Sequence, residues 1–296
     1  MQPSERVAGS IYDLGYRTYD GARLGRHYAI LSLFTYSLRS AFGLGRRTSS
    51  KIIPFALAAL VFIPAAIQLG IAAVVSGEVE IIRHDSYYGY VQVILALFCA
   101  AVAPEMVSRD QRQRTLSLYF SRALNRTDYA MAKWGALCAA MLVLTLGPQL
   151  LLFAGRALAA DSLSTFVTDN GTDIVPIVVS ASLLSALFAG IGIAIASQTG
   201  RRAYGTISIL VAFIVPFTVA GIVAQIGSRP IGAIGVLLSP QDVYRGLTLW
   251  IFSRSPGPDG TLGQVDLAGW VYFAATIAYI AVCGAIIFRR YERIAA

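Results

Sequence analysis

Six long stretches of the chain are almost wholly apolar, and shorter polar segments separate them. They are Ile52 to Val75, Tyr88 to Pro104, Trp134 to Phe153, Ile174 to Ser197, Ala203 to Ile226 and Ala268 to Phe288. None of them contains Asp, Glu, Lys or Arg. A helix needs about 20 mainly apolar residues to cross the roughly 30 Å hydrocarbon core of a bilayer. The pattern therefore predicts an all-α, polytopic membrane protein with six transmembrane helices within residues 52–288.

The segment before the first stretch, residues 1–51, predicts a helix outside the membrane core. From Leu24 to Phe42, apolar residues recur at helical spacing along one stripe. Nearby Arg residues suit an anionic lipid surface, so we interpret this helix as interfacial, at the inner leaflet. The residues expected to form this surface are Arg23, Arg26, Leu31, Phe34 and Leu38. The alternative is a solvated helix that packs on other protein. Because the first apolar run begins at Ile52, we expect no cleaved signal peptide.

Charge sets the expected orientation. Only 14% of the residues are charged, whereas soluble proteins average about 25%. Most of the 24 Lys and Arg residues lie before the first stretch, between the second and third, between the fourth and fifth, and after the sixth. Cytoplasmic loops carry the excess of positive charge. We therefore expect a protein of the cytoplasmic membrane with both termini in the cytoplasm, including a short tail at residues 289–296.

The longest outer loop, residues 227–267, contains a run that is apolar but too short to span. This run, Ile231 to Leu238, precedes Pro240, a helix-like segment from Asp242 to Phe252, and a Gly/Pro-rich stretch from Ser253 to Gly263. A short apolar run beside a proline break indicates a re-entrant hairpin, which is tolerated at membrane depth when protein surrounds it. We expect such a hairpin before the last span.

Several kinds of chemistry are missing from the sequence. A P-loop needs a Gly-Lys pair, but the only two lysines, Lys51 and Lys133, follow Ser50 and Ala132. The two histidines are predicted on opposite sides of the membrane, so the sequence offers no His-pair metal site, and we assign no catalytic or metal-binding residue. Proton-driven carriers commonly hold acidic or His residues inside their spans, and the six stretches have none. The sequence therefore indicates a transport protein without an energy source of its own, so a partner would have to supply the energy.

Such a partner needs a cytoplasmic surface, and the loop 105–133 is the only inside loop between spans that is large enough. The pattern predicts a short helix from Thr115 to Phe120 within it. Asn125 suits an N-cap, and Asp128 stands three residues later in the first turn of the next helix. We therefore expect the short helix to be held between two membrane helices by a defined turn.

These segments resemble a known family. An acidic residue after the second span, then basic residues, then Thr115-Leu116-Ser117-Leu118-Tyr119-Phe120-Ser121-Arg122 and Asn125-Arg126 are similar to ABC-2-type transporter permeases. The segment Leu238 to Arg245 resembles the family pattern as well, and the Tyr/Gly-rich run Tyr12 to Gly21 resembles permeases of actinobacterial type. The resemblance implies that Thr115 to Phe120 is a coupling helix that fits a groove in a separate ATPase subunit.

The resemblance also implies the partners. They are an ABC ATPase subunit, which binds the ATP and Mg, a second permease chain, identical or homologous, and membrane lipid; this chain itself would hold no cofactor and bind no nucleic acid. The implied activity is export or flipping of an amphipathic or hydrophobic substrate. The residues expected to couple to the ATPase are Glu105, Arg109, Arg112, Thr115, Leu116, Tyr119, Phe120 and Arg122.

Some of these residues have two interpretations. Glu105 and Arg109 stand at i, i+4, which suits either an ordinary helix-surface pair or a pair at the membrane edge that transmits motion into the second span. Tyr119 and Phe120 suit either anchoring at the membrane interface or docking on the partner, since aromatic and Arg residues are typical of interface hot spots. Two rival functions also remain, an ion-coupled carrier and a membrane-embedded enzyme.

Overall fold

The computed structural model describes residues 24–74, 82–113, 115–120, 124–160, 162–258 and 260–293. In these ranges the chain is helical and contains no strand. Its twelve α-helices are α1 (Gly25–Ala41), α2 (Ser49–Val74), α3 (Tyr87–Arg112), α4 (Leu116–Phe120), α5 (Arg126–Ala159), α6 (Leu163–Asn170), α7 (Ile174–Gln198), α8 (Arg202–Ile226), α9 (Arg229–Leu238), α10 (Pro240–Ile251), α11 (Thr261–Val265) and α12 (Gly269–Arg293). Six of them, α2, α3, α5, α7, α8 and α12, are long and apolar enough to cross a membrane. The predicted number of spans is confirmed.

The helices that contain the apolar stretches run past the predicted ends. The second continues through Pro104 to Arg112, and the third begins at Arg126 rather than Trp134. Proline is tolerated in a membrane helix because neighbouring groups satisfy the freed backbone. The apolar pattern ends at the first charged residue, whereas the helix continues as long as its backbone hydrogen bonds are made. Charged residues such as Asp110 and Lys133 therefore lie inside long helices.

The core of the bundle forms around α7, which packs against α3, α5, α8 and α12. Small residues allow this close packing. A Cβ added at Gly190 would lie 3.3 Å from the Cβ of Cys283, and one at Gly192 would collide with the Cys99 sulfur. By contrast, α2 and α8 leave most of their side chains exposed. The apolar surfaces of these two helices face outward from the bundle.

The short helices gather at two ends of the bundle. The first, which we call the Arg-rich end, contains α1, α4, the start of α5 and the end of α12. The second, which we call the hairpin end, contains α6, α9, α10 and α11. Two of these short helices, α6 and α11, were not predicted, since the sequence there indicated only loops. The predicted helices at residues 24–42, 115–120 and 242–252 are confirmed as α1, α4 and α10. The leading residues 1–23 lie outside the described ranges.

Candidate functional site

The short helix α4 is held between two defined helix ends. At the end of α3, the backbone N–H of Gln113 donates to the Arg109 carbonyl, at 3.0 Å, and that of Thr115 donates to the Asp110 carbonyl, at 3.1 Å. At the start of α5, the Asp128 carboxylate accepts the backbone N–H of Asn125, at 3.0 Å. Asn125 is the N-cap of α5 and Asp128 lies in its first turn, as predicted. The segment between α3 and α5 is thus anchored on both sides.

Aromatic side chains connect α4 to the bundle. The rings of Tyr119 and Phe120 lie 5.6 Å and 6.1 Å from the ring of Tyr129 in α5. Tyr129 is fully buried and packs edge-on against Tyr291 near the end of α12, with the ring centroids 5.1 Å apart. Burial and the nearby Asp110 carboxylate raise the pKa of Tyr119. The two α4 aromatics therefore pack inward on the protein itself, a role that neither sequence interpretation included.

A buried ion pair lies directly behind this aromatic stack. The Lys133 ammonium is 2.8 Å from the Asp110 carboxylate, and Lys133 is only 2% exposed. The Tyr129 hydroxyl donates to Asp110 at 2.8 Å, and Lys133 donates to the Met106 carbonyl at 3.0 Å. Sequence reasoning missed this pair because both residues counted as loop. The available signal was Lys133 itself, one of two lysines, placed directly against an apolar run.

The amphipathic helix α1 is tied to the start of α5. Arg26 donates two hydrogen bonds to the Asp128 carboxylate, at 2.8 Å and 2.7 Å. This bond raises the pKa of the Arg26 guanidinium. Leu31 is exposed, while Phe34 and Leu38 are half-buried against the bundle, and Arg23 lies outside the described residues. One face of α1 thus packs on the protein, and the predicted stripe around Leu31 stays open.

The structure corrects the predicted partner of Glu105. Its two carboxylate oxygens contact Arg46, at 2.5 Å, and Arg202, at 2.8 Å, rather than Arg109, whose side chain is exposed. An i, i+4 pair on a helix surface contributes only about 0.2–0.5 kcal/mol. Two guanidinium groups from other segments therefore replace Arg109 as the partners of the half-buried Glu105 carboxylate. Glu105 therefore links the start of α8 and the segment before α2 to α3.

Backbone carbonyls complete the connections at this end. Arg126, at the first position of α5, donates to the carbonyl of Glu292 in α12 at 2.8 Å. The carbonyl of Ser197, near the end of α7, accepts from Gln111 at 2.9 Å and from Arg290 at 3.1 Å. A cavity of about 100 Å³ remains among Tyr36, Arg46, Glu105, Asp110, Tyr119 and Lys133. The end of α3, α4 and the start of α5 together are thus linked to α1, α7 and α12.

The predicted coupling residues take different positions in this arrangement. Leu116 is buried, Thr115, Tyr119 and Phe120 are half-buried, and Arg109 and Arg112 are exposed. Arg122 lies outside the described residues. The exposed arginines form the part of the site that another protein can reach. The buried aromatics and the Asp110–Lys133 pair form the part that connects α4 to the spans.

Comparison with known proteins assigns the family. No curated protein sequence matches this chain. The family model described as ABC-2 family transporter protein matches residues 65–294, which include every helix from α3 to α12. The match covers well over half of the chain, and the six apolar helices agree with a multi-pass transport protein. The chain therefore belongs to the ABC-2 family of membrane transporter proteins.

Proposed function

We propose that this chain is the permease subunit of an ABC transporter, and that it exports or flips an amphipathic or hydrophobic substrate. A separate ABC ATPase binds ATP and Mg and supplies the energy, and a second permease chain, identical or homologous, completes the pathway. The observation that carries this proposal is α4, a short helix fixed between two spans and joined to a third through Tyr129 and Tyr291. In the proposed complex, this helix contacts the ATPase.

The contacts of α4 suit the transfer of force. A docking helix that moved freely would dissipate the motion of its partner. Here the aromatic stack and the Arg126 bond to the Glu292 carbonyl connect the segment to α12. The exposed Arg109 and Arg112 supply a charged surface beside it. Arg is among the residues enriched in interface hot spots, so these side chains are our candidates for direct contact with the ATPase.

Charge supports the orientation that coupling requires. The ATPase works where ATP is present, so α4 must face the cytoplasm. The Arg-rich end carries most of the Lys and Arg residues in the described part of the chain, and cytoplasmic loops carry such an excess. We therefore place the Arg-rich end in the cytoplasm and the hairpin end outside. The open stripe of α1 then faces the inner leaflet, where Arg residues contact anionic headgroups.

The spans support an apolar or amphipathic substrate. Asp110 and Lys133 lie just outside the apolar stretches of α3 and α5, at the Arg-rich end, and pair with each other. The apolar stretches themselves contain no Asp, Glu, Lys or Arg. The exposed apolar faces of α2 and α8 offer area for lipid and for the second permease chain. Such walls offer little to a strongly charged solute and suit a molecule with a large apolar part.

Charge reversal at the exposed surface tests the coupling site. We expect Arg112→Glu to reduce the amount of ATPase that copurifies with the chain in mild detergent by about tenfold or more, equal to about 1.4 kcal/mol. The control is Arg254→Glu, the same change at an exposed residue of the hairpin end. Thermal unfolding of each purified variant checks that the chain still folds. Undiminished ATPase binding by Arg112→Glu together with Arg109→Glu would contradict the proposed docking surface.

A further inference from the structure

The first turn of α10 contains four buried polar atoms without a hydrogen-bond partner among the described residues. They are the two amide atoms of Gln241 and the two carboxylate oxygens of Asp242. The residues are 2% and 0% exposed. Buried polar atoms are nearly always hydrogen-bonded in folded proteins, so each exception needs an explanation. A carboxylate is the most demanding case because its charge must also be balanced.

The local geometry explains why Asp242 lacks its usual partner. The N-cap of α10 is Ser239, whose hydroxyl accepts the backbone N–H of Asp242 at 3.2 Å. An acidic residue at this position commonly accepts the N-cap backbone N–H in return. Here that N–H donates to the carbonyl of Val236 at 3.1 Å instead. The reciprocal bond is therefore unavailable, and the carboxylate is enclosed within the protein.

The packing of α10 on α12 encloses the same region. A Cβ added at Gly246, one turn beyond Asp242, would lie 2.5 Å from the ring of Tyr272. The Tyr272 ring therefore covers this face of α10 closely. Its hydroxyl is also buried without a partner in the described part of the chain. The seam between α10 and α12 thus holds two polar side chains, Asp242 and Tyr272, that water does not reach.

Asp242 has one ion-pair partner among the described residues, and the contact is long. Within 4 Å, the described residues offer one cation, the Arg245 guanidinium at 3.6 Å, which is longer than a hydrogen bond and belongs to a side chain that is 39% exposed. From the packed helices, Tyr272 of α12 and, through Tyr244, Tyr88 of α3 face α10. The helix α7 has no titratable residue. The remaining groups lie further off, and they are Arg202 and Tyr204 of α8 at the Arg-rich end, the exposed Arg229 of α9, and the exposed Asp266 after α11.

An ionised carboxylate in this position is unfavourable, and a proton removes the charge. Burial raises the pKa of Asp242, while the Ser239 hydroxyl and Arg245 oppose the effect. We propose that Asp242 is a proton-binding site, which holds a proton while α10 packs on α12 and releases it to water when the two helices separate. The separation breaks the O–H bond of one carboxylic acid and leaves one carboxylate and one free proton.

The sign of the pH effect follows from this step. The packed state binds one proton more than the opened or unfolded state at any pH between the ordinary Asp pKa of about 3.9 and the raised pKa in the packed state. Rising pH therefore favours opening, by up to about tenfold in the equilibrium constant per pH unit. Outside this window the dependence disappears. The inference concerns this chain alone, so it stands or falls independently of the ATPase partner.

Infrared spectroscopy tests the proton directly. In the purified full-length chain in detergent, we expect a carbonyl band of a protonated carboxylic acid, which shifts in D₂O, to persist to a higher pH than the ordinary Asp and Glu pKa values of about 4 allow. The band should disappear in Asp242→Asn and remain in the control Asp266→Asn, the same change at an exposed residue whose left-handed backbone Asn tolerates. A band that remains unchanged in Asp242→Asn overturns the proposal. A wild-type spectrum without the band overturns it as well.

A second variant covers the case in which Asp242→Asn fails to fold. At the pH where the infrared band is observed, Arg245→Gln should change the melting temperature only slightly, because a neutral Asp242 has no ion pair to lose. If Asp242 is instead ionised and paired, the same variant should unfold at a much lower temperature, and the proposal fails. Replacement of sodium by potassium should leave the wild-type melting temperature unchanged. A specific stabilisation by sodium would identify a metal cation at the site and overturn the proton assignment.

Discussion

The two ends of the bundle treat buried charge in opposite ways. At the Arg-rich end, Lys133 and Asp110 pair at 2.8 Å, and Tyr129 and the Met106 carbonyl complete their hydrogen bonds. At the hairpin end, Asp242 is as deeply buried, yet neither of its oxygens accepts a hydrogen bond from the described residues. A satisfied network holds one geometry. A buried group without a hydrogen bond makes the packed arrangement around it less stable and easier to open. The Arg-rich end therefore suits the transfer of motion, and the hairpin end suits a change between packed and open arrangements.

The largest expected effect tests the satisfied end. Removing one partner of a buried ion pair leaves an uncompensated charge and costs about 3–5 kcal/mol. We therefore expect Lys133→Met to lower the free energy of unfolding by this amount, measured by denaturant or thermal unfolding in detergent.

The matched control for this variant restores neutrality. In Asp110→Asn combined with Lys133→Met, no isolated charge remains, so most of the lost stability should return. If the double variant is as unstable as Lys133→Met alone, the damage comes from lost packing around the lysine stem, and the contrast between the two ends weakens.

A pH effect of intermediate size tests the hairpin end at a second residue. His84 is buried, its Nδ1 contacts the Gln149 amide oxygen at 2.5 Å, and its Nε2 has no partner in the described chain. Burial lowers the pKa of His84. The unfolded chain therefore binds more protons, and stability should fall as pH drops below about 6.5, by up to about 1.4 kcal/mol per pH unit.

The measurement is the difference in unfolding free energy between the wild type and His84→Gln from pH 7 to pH 5. This difference should shrink on acidification. The control is His27→Gln in α1, the same change at an exposed side chain. If the stability difference shrinks equally for His84→Gln and His27→Gln, the pH effect does not come from the burial of His84, and the two ends do not differ in this respect.

The smallest expected effect concerns the Arg26–Asp128 pair. The Arg26 side chain is 51% exposed, so solvent screens much of the interaction. Exposed ion pairs contribute little to stability, so we expect Arg26→Ala to lower the unfolding free energy by less than either of the other variants. Proteolysis between residues 24 and 49 should become faster, because α1 loses its tie to α5. A loss larger than that of Lys133→Met would reverse the ranking of the two pairs.

The sequence predicted what depends on neighbouring residues. Six uncharged runs were enough for six spans, because crossing a bilayer requires a continuous apolar helix. Asn125 and Asp128 predicted the start of α5 because a helix cap involves residues three positions apart. The short helix predicted from Thr115 to Phe120 is α4, which lies between the end of α3 and the start of α5.

The contacts of the site depend on residues far apart in the chain and were out of reach. Glu105 was expected to pair with Arg109, but Arg46 and Arg202 come from segments 59 residues before and 97 residues after it. Tyr119 packs inward on Tyr129, and Tyr129 in turn contacts Tyr291 at the end of α12, which the sequence pattern does not reveal. Similarly, the burial of Asp242 depends on the packing of α10 against Tyr272 of α12. Orientation, the partner surfaces and the lipid contacts of α1 stay predictions.

The contact between Gly192 and Cys99 has a mechanical consequence. It leaves no room for one added carbon, so Gly192 allows α7 to lie close to α3 at this level of the bundle. In α7, about 9 Å of helix lies between Gly192 and Gln198, and about 27 Å lies between Gly192 and Ile174, at 1.5 Å per residue. A rotation of α7 as a rigid rod about this contact would therefore move its Ile174 end about three times as far as its Gln198 end.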